Sequence, residues 1–382
     1  MLAERMKGLN PYIPGEQPKD RNYIKLNANE NPYPPAPEVC EAIRNFIEEH
    51  PEKLGLYPDP DSYELHCQIA KMLNDCGGVL CRSSVKDGRC MPSLQDKIPF
   101  EVTPEMIYAG NGSDEVLSFV FYAFFDSDRP VITPTFSYSF YPVYCGFYDI
   151  PIKKVELKPD WSLDTEKMIE EAVKTDSGMI FANPNAPTGI ALTREQVRQM
   201  LKKAPADKAF VVDEAYVDFG GESCIPLLAE FKNLIVVRTF SKSLCGAGLR
   251  SGYLVANPEV IQAITTVKNS LNHFPIDAVT QIASAAACKA SGYYAEKAMA
   301  IARERDSFSE FLKAHGWNVL PSKTNFVFAQ KPEVDGQYAY KKIKQDGILV
   351  RIFSTSGIEN YLRISIGTAE QMAALKKSME SL

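Results

Sequence analysis

From about residue 105 to 255 the chain repeats one pattern. Short apolar runs at 106–109, 130–133, 179–182, 209–212, 235–237 and 251–255 read as buried strands. The stretches between them read as helices, one from about Val116 to Phe125 and one capped by Thr193 and running to about Lys203. Strand alternating with helix predicts an α/β fold, with a mostly parallel sheet flanked by helices on both faces. Ligands of such sheets sit beyond the carboxyl ends of the strands. The polar clusters of this region all fall there.

The flanks differ. Residues 1–37 are rich in Pro, Asn and Gly and predict an extended arm that packs along a surface or lines a site. A helix at 37–49 carries Val39, Ile43 and Ile47. Tyr57-Pro58-Asp59-Pro60 is a rigid link, and Asp61 or Ser62 is positioned to cap a helix bearing Leu65, Ile69 and Leu73. Residues 74–100 lose periodicity and read as a surface insertion. Helices at about 277–291 and 293–315, then short strands near Val327, Ile348 and Leu362, predict a smaller α+β domain. The expected division is an arm at 1–37, a large domain at 38–272 with the insertion at 74–100, and a small domain at 273–382, with the arm packing against the small domain and the active site.

Composition narrows the function classes. The chain has 382 residues, 45% apolar and 24% charged, with a net charge of −6 that argues against nucleic acid as the main partner. No apolar run is long enough to span a membrane, and the first residues lack the apolar core of a signal peptide. Nine scattered cysteines, an odd count, read as reduced thiols in a cytoplasm. Cys76, Cys81 and Cys90 match no zinc spacing, and the four histidines lie apart, so no metal is expected.

Several clusters carry possible chemistry. Gly110-Asn111-Gly112-Ser113-Asp114-Glu115 places glycines before a helix start, either as a plain cap by Ser113 or Asp114 or as a phosphate seat at the helix N-terminus. Asp213 ends an apolar strand and is either a loop residue or the partner of a protonated cofactor nitrogen, with Tyr216 three residues on. The segment 238–250, Arg-Thr-Phe-Ser-Lys-Ser-Leu-Cys-Gly-Ala-Gly-Leu-Arg, leaves a strand with hydroxyls, a lysine, small residues and an arginine. The hydroxyls of Thr239 and Ser241 and the guanidinium of Arg250 suit a phosphate, and Lys242 suits a carbonyl. A molecule that carries both an aldehyde and a phosphate is pyridoxal phosphate. Arg351 and Arg363 are either solvated arginines or receptors for an anionic substrate.

Taken together, in this order, these residues resemble the fold type I pyridoxal-phosphate-dependent aminotransferases over nearly the whole chain. The pieces are 110–115, Asn183 to Gly189, Asp213-Glu214-Ala215-Tyr216, Ser241-Lys242 and Arg250. Within that superfamily the arm (Pro11-Tyr12-Ile13-Pro14-Gly15-Glu16 and Leu26-Asn27-Ala28-Asn29-Glu30-Asn31-Pro32-Tyr33) and the end of the chain (347–351 and 362–367) are similar to the histidinol-phosphate aminotransferase family. The resemblance implies reversible transfer of an amino group between histidinol phosphate and 2-oxoglutarate, a step of histidine biosynthesis. The alternatives are an aromatic amino acid aminotransferase and a threonine-phosphate decarboxylase. By the same resemblance Lys242 is the lysine that binds the cofactor aldehyde, Asp213 pairs with the pyridine nitrogen, and Tyr216 reaches the ring oxygen. Phe136 stacks on the ring. Ser113, Asp114, Thr239, Ser241 and Arg250 form the phosphate cup, and Tyr57 reaches the phosphate of a neighbouring subunit, which implies a homodimer with shared sites. Arg363 takes the α-carboxylate of glutamate, while Tyr12, Asn29 and Arg351 surround the rest of the substrate. One position departs from the family: Ala186 stands directly before Pro187-Thr188-Gly189 where asparagine is common. Asn185 is expected to supply the missing contact to the ring oxygen.

Overall fold

The computed structural model describes residues 2–3, 6–80, 84–86, 89–91 and 97–382. The arm contributes a two-residue strand, β1 (Ile24–Lys25), before the first helix, α1 (Pro37–Glu49). Pro37 suits the first turn of α1, where its missing N–H would have gone unpaired. The next helix, α2 (Tyr63–Cys76), buries Leu65, Ile69, Leu73 and Cys76. Neither Asp61 nor Ser62 caps it, because Ser62 turns left-handed at φ 49°. Asp59 serves instead, accepting from the N–H groups of Asp61 at 3.0 Å and Tyr63 at 2.8 Å. The expected insertion contains an antiparallel hairpin of β2 (Ser84–Lys86) and β3 (Arg89–Met91). The side chains of Cys81 and Cys90 lie outside the described residues.

The main sheet is then built from β4 (Ile107–Asn111), α3 (Gly112–Phe124), β5 (Val131–Pro134), α4 (Tyr141–Tyr148), β6 (Ile152–Val155), α5 (Thr165–Thr175), β7 (Met179–Ala182), α6 (Arg194–Lys203), β8 (Phe210–Asp213), β9 (Leu234–Thr239) and β10 (Ser251–Ala256). The strand order is β4-β10-β9-β8-β7-β5-β6. The sheet is mostly parallel, as the alternation predicted, with β10 antiparallel to both β9 and β4. The chain returns from β9 through the short turn Ala247–Leu249 and has no crossover helix, a connection that suits an antiparallel pair. Alternate strand residues enter separate cores on the two faces, Ile107 and Ala109 one and Tyr108 the other. The Thr193 cap of α6 is present as a full capping box with Gln196.

Three helices follow: α7 (Pro258–Leu271), α8 (Ala278–Lys289) and α9 (Ser291–Ala314). Residues of α8 join the large core beside those of α1 and α2. Along α9 the core changes: Tyr294 and Ala295 pack into the large one, whereas Ala298, Ile301, Phe308 and Leu312 pack into a second. That change comes later in the chain than residue 272. The second core gathers β11 (Asn318–Val319), β12 (Phe326–Gln330), α10 (Gly336–Gln345), β13 (Ile348–Leu349), β14 (Arg351–Ile352), β15 (Leu362–Ser365) and α11 (Ala369–Met379). Its antiparallel sheet runs β11-β12-β15-β14. The arm is stitched to this unit: β1 pairs in parallel with β13, and the Ser365 N–H donates to the Leu26 carbonyl at 3.0 Å. Among the described residues no helix is long and apolar enough to cross a membrane.

Candidate active site

Two cavities adjoin at the carboxyl end of the main sheet. Lys242, Tyr138, Tyr216, Ala28 and Ala186 line both. The smaller, about 270 Å³, is also lined by Ser113, Asp114, Asp213, Thr239, Ser241 and Arg250. The larger, about 360 Å³, is lined by Tyr12, Asn29, Phe136, Arg351 and Arg363. The long gap in sequence between Ser113 and Arg250 closes because β10 brings Ser251 opposite Asn111.

Asp213 sits at the end of β8 and is 5% exposed. The Tyr141 hydroxyl donates to its Oδ2 at 2.9 Å, and the Ala215 N–H donates to its Oδ1 at 3.1 Å. Burial pushes its carboxyl up to about 6, and those two hydrogen bonds oppose the shift. A buried carboxylate held this way is suited to a cationic partner in the cavity.

Lys242 lies in the turn after β9. Asn31 Nδ2 fixes its carbonyl at 2.9 Å, and its Nζ lies 3.4 Å from the Ala28 carbonyl and 5.6 Å from the Tyr216 ring centroid. Among the described residues the amine has no carboxylate partner. The Tyr216 hydroxyl accepts from Asn29 Nδ2 at 2.9 Å, and Asn29 Oδ1 accepts from the Ser365 hydroxyl at 3.0 Å. The amide of Asn29 is thus committed to holding Tyr216 and anchoring the arm.

Two glycines shape the rim around Ser113. At Gly112, φ is +75° and an added Cβ would lie 2.6 Å from Arg250 Nη2. At Gly252 an added Cβ would lie 2.3 Å from the Ser113 nitrogen. Without side chains there, the N-terminus of α3 and the Arg250 guanidinium approach one spot, with the Thr239 and Ser241 hydroxyls beside them. Arg250 Nη2 also lies 3.3 Å from Asp114 Oδ2. An aldehyde-bearing pyridine phosphate fits this donor set: cations and N–H groups for the phosphate, a buried acid for the ring nitrogen and a free amine for the aldehyde.

The larger cavity presents arginines. Arg351 and Arg363 are directly paired across β14 and β15. Like charges placed opposite one another oppose sheet formation unless an anion joins them. Arg363 is half-buried, its Nε has no hydrogen-bond partner among the described residues, and its Nη2 reaches the Asn27 carbonyl at 3.2 Å. Burial, with Arg351 nearby, lowers its pKa. Tyr12 packs on Phe140 with ring centroids 5.3 Å apart. Phe136 lies 5.9 Å from the Trp161 ring.

Two of the expected residues line neither cavity, Tyr57 being expected at the site of a neighbouring subunit. Asn185 lines neither cavity: its Nδ2 donates to the Phe136 carbonyl at 2.9 Å and to the Thr188 hydroxyl at 3.1 Å, and its Oδ1 accepts from Ser137 at 3.0 Å. With its amide used inside the loop, Asn185 is not positioned to replace the missing asparagine, and Ala186 faces both cavities. Tyr57 is 83% exposed and stacked on Phe274 at 4.6 Å, away from the site of its own chain. Tyr141 and Tyr138 are the functional residues that sequence reasoning missed. Tyr138 donates to Asp114 Oδ1 at 2.8 Å, as Tyr141 does to Asp213. Their signal was the spacing of Tyr138, Tyr141 and Tyr144, one face of a helix start just after a strand. Among the described residues no group of His, Cys, Asp and Glu is arranged to hold a metal.

Comparison with known proteins agrees over the whole length. The chain is 46% identical to the histidinol-phosphate aminotransferase of Syntrophus aciditrophicus, covering 100% of this chain and 98% of that protein. It is 40% identical to the protein of the same name from Acinetobacter baumannii, covering 99% and 96%. The solved structure of histidinol-phosphate aminotransferase from Sinorhizobium meliloti, in complex with pyridoxal-5'-phosphate, superposes with a TM-score of 0.82 at 23% identity, over 100% of this chain and 96% of that one, a likeness of fold. The family model for aminotransferase class I and II matches residues 21–378, and the chain belongs to that family.

Proposed function

We propose that this chain transfers the amino group between L-histidinol phosphate and 2-oxoglutarate, forming imidazole acetol phosphate and L-glutamate, with pyridoxal 5'-phosphate as resident cofactor. The observation that carries the reading is that Lys242 is shared by the acid-and-phosphate-seat cavity and the arginine cavity. The names of the full-length relatives favour this substrate over an aromatic amino acid or phosphothreonine.

The cofactor, when bound, supplies an aldehyde for the amine and a ring that draws electrons from the substrate's α-carbon. Asp213, gripped by Tyr141 and the Ala215 N–H, would hold the proton on the ring nitrogen. The N–H groups at Ser113 and Asp114, the hydroxyls of Thr239 and Ser241, and Arg250 hold the phosphate. Phe136, which lines the larger cavity beside Lys242, would pack on the ring from that side, and Tyr216, steadied by Asn29, would donate toward the ring oxygen. Lys242 Nζ moves the α-carbon proton, since it is the amine that borders both cavities. Arg363 receives the α-carboxylate of glutamate, and Arg351 with Tyr12 surrounds the remainder of either substrate, a task that suits a guanidinium because it binds carboxylate and phosphate alike.

A homodimer is part of the proposal: Tyr57, exposed and stacked on Phe274, would reach the cofactor phosphate of a second copy. So is a division into arm, large and small units, supported by the two cores that meet along α9. The free thiols of the described cysteines support a cytoplasmic setting. The test is a half-reaction screen. Histidinol phosphate, phenylalanine, tyrosine and phosphothreonine are mixed separately with the yellow, cofactor-loaded protein. Histidinol phosphate is expected to bleach the colour fastest and to yield the keto product. Faster bleaching by another amine, or release of carbon dioxide, would overturn the substrate assignment.

A further inference from the structure

Lys153 and Lys154 are neighbours on β6 that face opposite ways. Lys153 Nζ lies 3.6 Å from Glu171 Oε2 of α5. Lys154 lines the larger cavity and forms no ion pair among the described residues. It stands in register with Thr133 on β5, and aligned residues of parallel strands point to the same face. Thr133 also lines the cavity, is 2% exposed, and its hydroxyl has no hydrogen-bond partner among the described residues. A buried hydroxyl without a partner is costly unless a ligand or water satisfies it. The cavity therefore carries hydrogen-bond donors from two separate sheets: the Lys154 ammonium with the Thr133 hydroxyl from the main sheet, and the guanidiniums of Arg351 and Arg363 from the antiparallel sheet.

We propose that Lys154, assisted by the Thr133 hydroxyl, binds the distal carboxylate of the dicarboxylic co-substrate and so determines specificity for a diacid. The inference rests on the aminotransferase reading above. A diacid has an acid group at each end and can engage both sheets. Histidinol phosphate is anionic at one end only, and its other end is an imidazole that gains nothing from an ammonium. Lys154 thus separates the two half-reactions, which otherwise share one cavity.

The experiment measures the half-reactions one at a time in the loaded protein by rapid mixing, for wild type, Lys154→Gln and Lys154→Arg. Loss of one charge-assisted hydrogen bond predicts that Lys154→Gln raises the apparent Kd for glutamate about tenfold, with the limiting rate nearly unchanged. The Kd for histidinol phosphate should stay within about twofold, and Lys154→Arg should recover most of the glutamate affinity. Equal weakening of both substrates would mark a general field effect and overturn the proposal, as would no change in either. Phenylalanine, which carries only the α-carboxylate, runs beside them as a second mono-anionic probe. If wild type reacts with glutamate but not with histidinol phosphate, the substrate assignment falls, while the contrast between glutamate and phenylalanine still decides the role of Lys154.

Discussion

The two cavities that meet at Lys242 handle charge differently. In the smaller one the acids are held before any ligand arrives: Asp213 by Tyr141 and the Ala215 N–H, and Asp114 by Tyr138 and Arg250. In the larger one Arg351 faces Arg363 across a ladder, the Arg363 Nε lacks a partner among the described residues, and Lys154 is without an ion pair among them. The first arrangement suits a partner that stays, since pre-set hydrogen bonds need no rearrangement when it binds. The second suits anions that come and go, since cations without acid partners are free for whichever anion enters. Stability and function pull apart at the second site, where two guanidiniums face each other with carbonyl and aromatic neighbours but no carboxylate partner among the described residues.

The contrast can be broken most severely at the shared residue. Lys242→Ala should lower turnover by at least about 10³-fold, because the proton-moving group is lost. Its cofactor should also dialyse away after borohydride treatment, whereas in wild type mass spectrometry should find it fixed to the peptide containing Lys242.

Asp213→Asn should cost about 10²–10³-fold in cofactor affinity, the scale of removing one partner from a buried ion pair. Its pH behaviour sharpens the point. The folded-state pKa of Asp213, about 6, is raised above the usual carboxylate value, so in the ligand-free protein this group favours folding fully below the unfolded value of 3.8. That contribution is lost as pH rises through about 6. Chemical denaturation between pH 4 and 7.5 should show this slope in wild type and a flatter one in Asp213→Asn.

Tyr57→Phe should weaken cofactor retention about tenfold, the scale of one hydrogen bond to a charged group. Equilibrium dialysis reads it, and hybrid dimers with Lys242→Ala should show one intact site. Smallest is Arg351→Ala: relief of the cross-strand repulsion should leave the ligand-free protein unchanged or up to about 1 kcal/mol more stable, read by denaturant melts.

Much of the smaller cavity was legible in sequence because its groups sit where apolar strands end, and a strand end is visible as a change from apolar to polar. Asp213, Lys242 and Ser113 all follow that rule. What holds those groups was not legible. Tyr141 meets Asp213 across 72 residues, and its spacing with Tyr138 and Tyr144 does not name that partner. Asn185 was misjudged because its direction depends on loop partners, Phe136 and Thr188, that only the folded chain supplies. The cap at Asp59 was missed because a left-handed Ser62 displaces the expected one. The antiparallel β10 escaped because apolar strands do not reveal direction when the link between them is short.

The division between a resident-cofactor side and an exchangeable-substrate side is tested most directly with Arg363→Ala. Calorimetry of the ligand-free protein with pyridoxal phosphate, set beside kcat/KM for glutamate, separates the two cavities in one variant. The expected result is cofactor affinity within about twofold of wild type and a fall of about 10²-fold in kcat/KM, in line with a lost bidentate contact to carboxylate. A parallel loss of both quantities would mean that the two cavities act as one site, and would contradict the division between them.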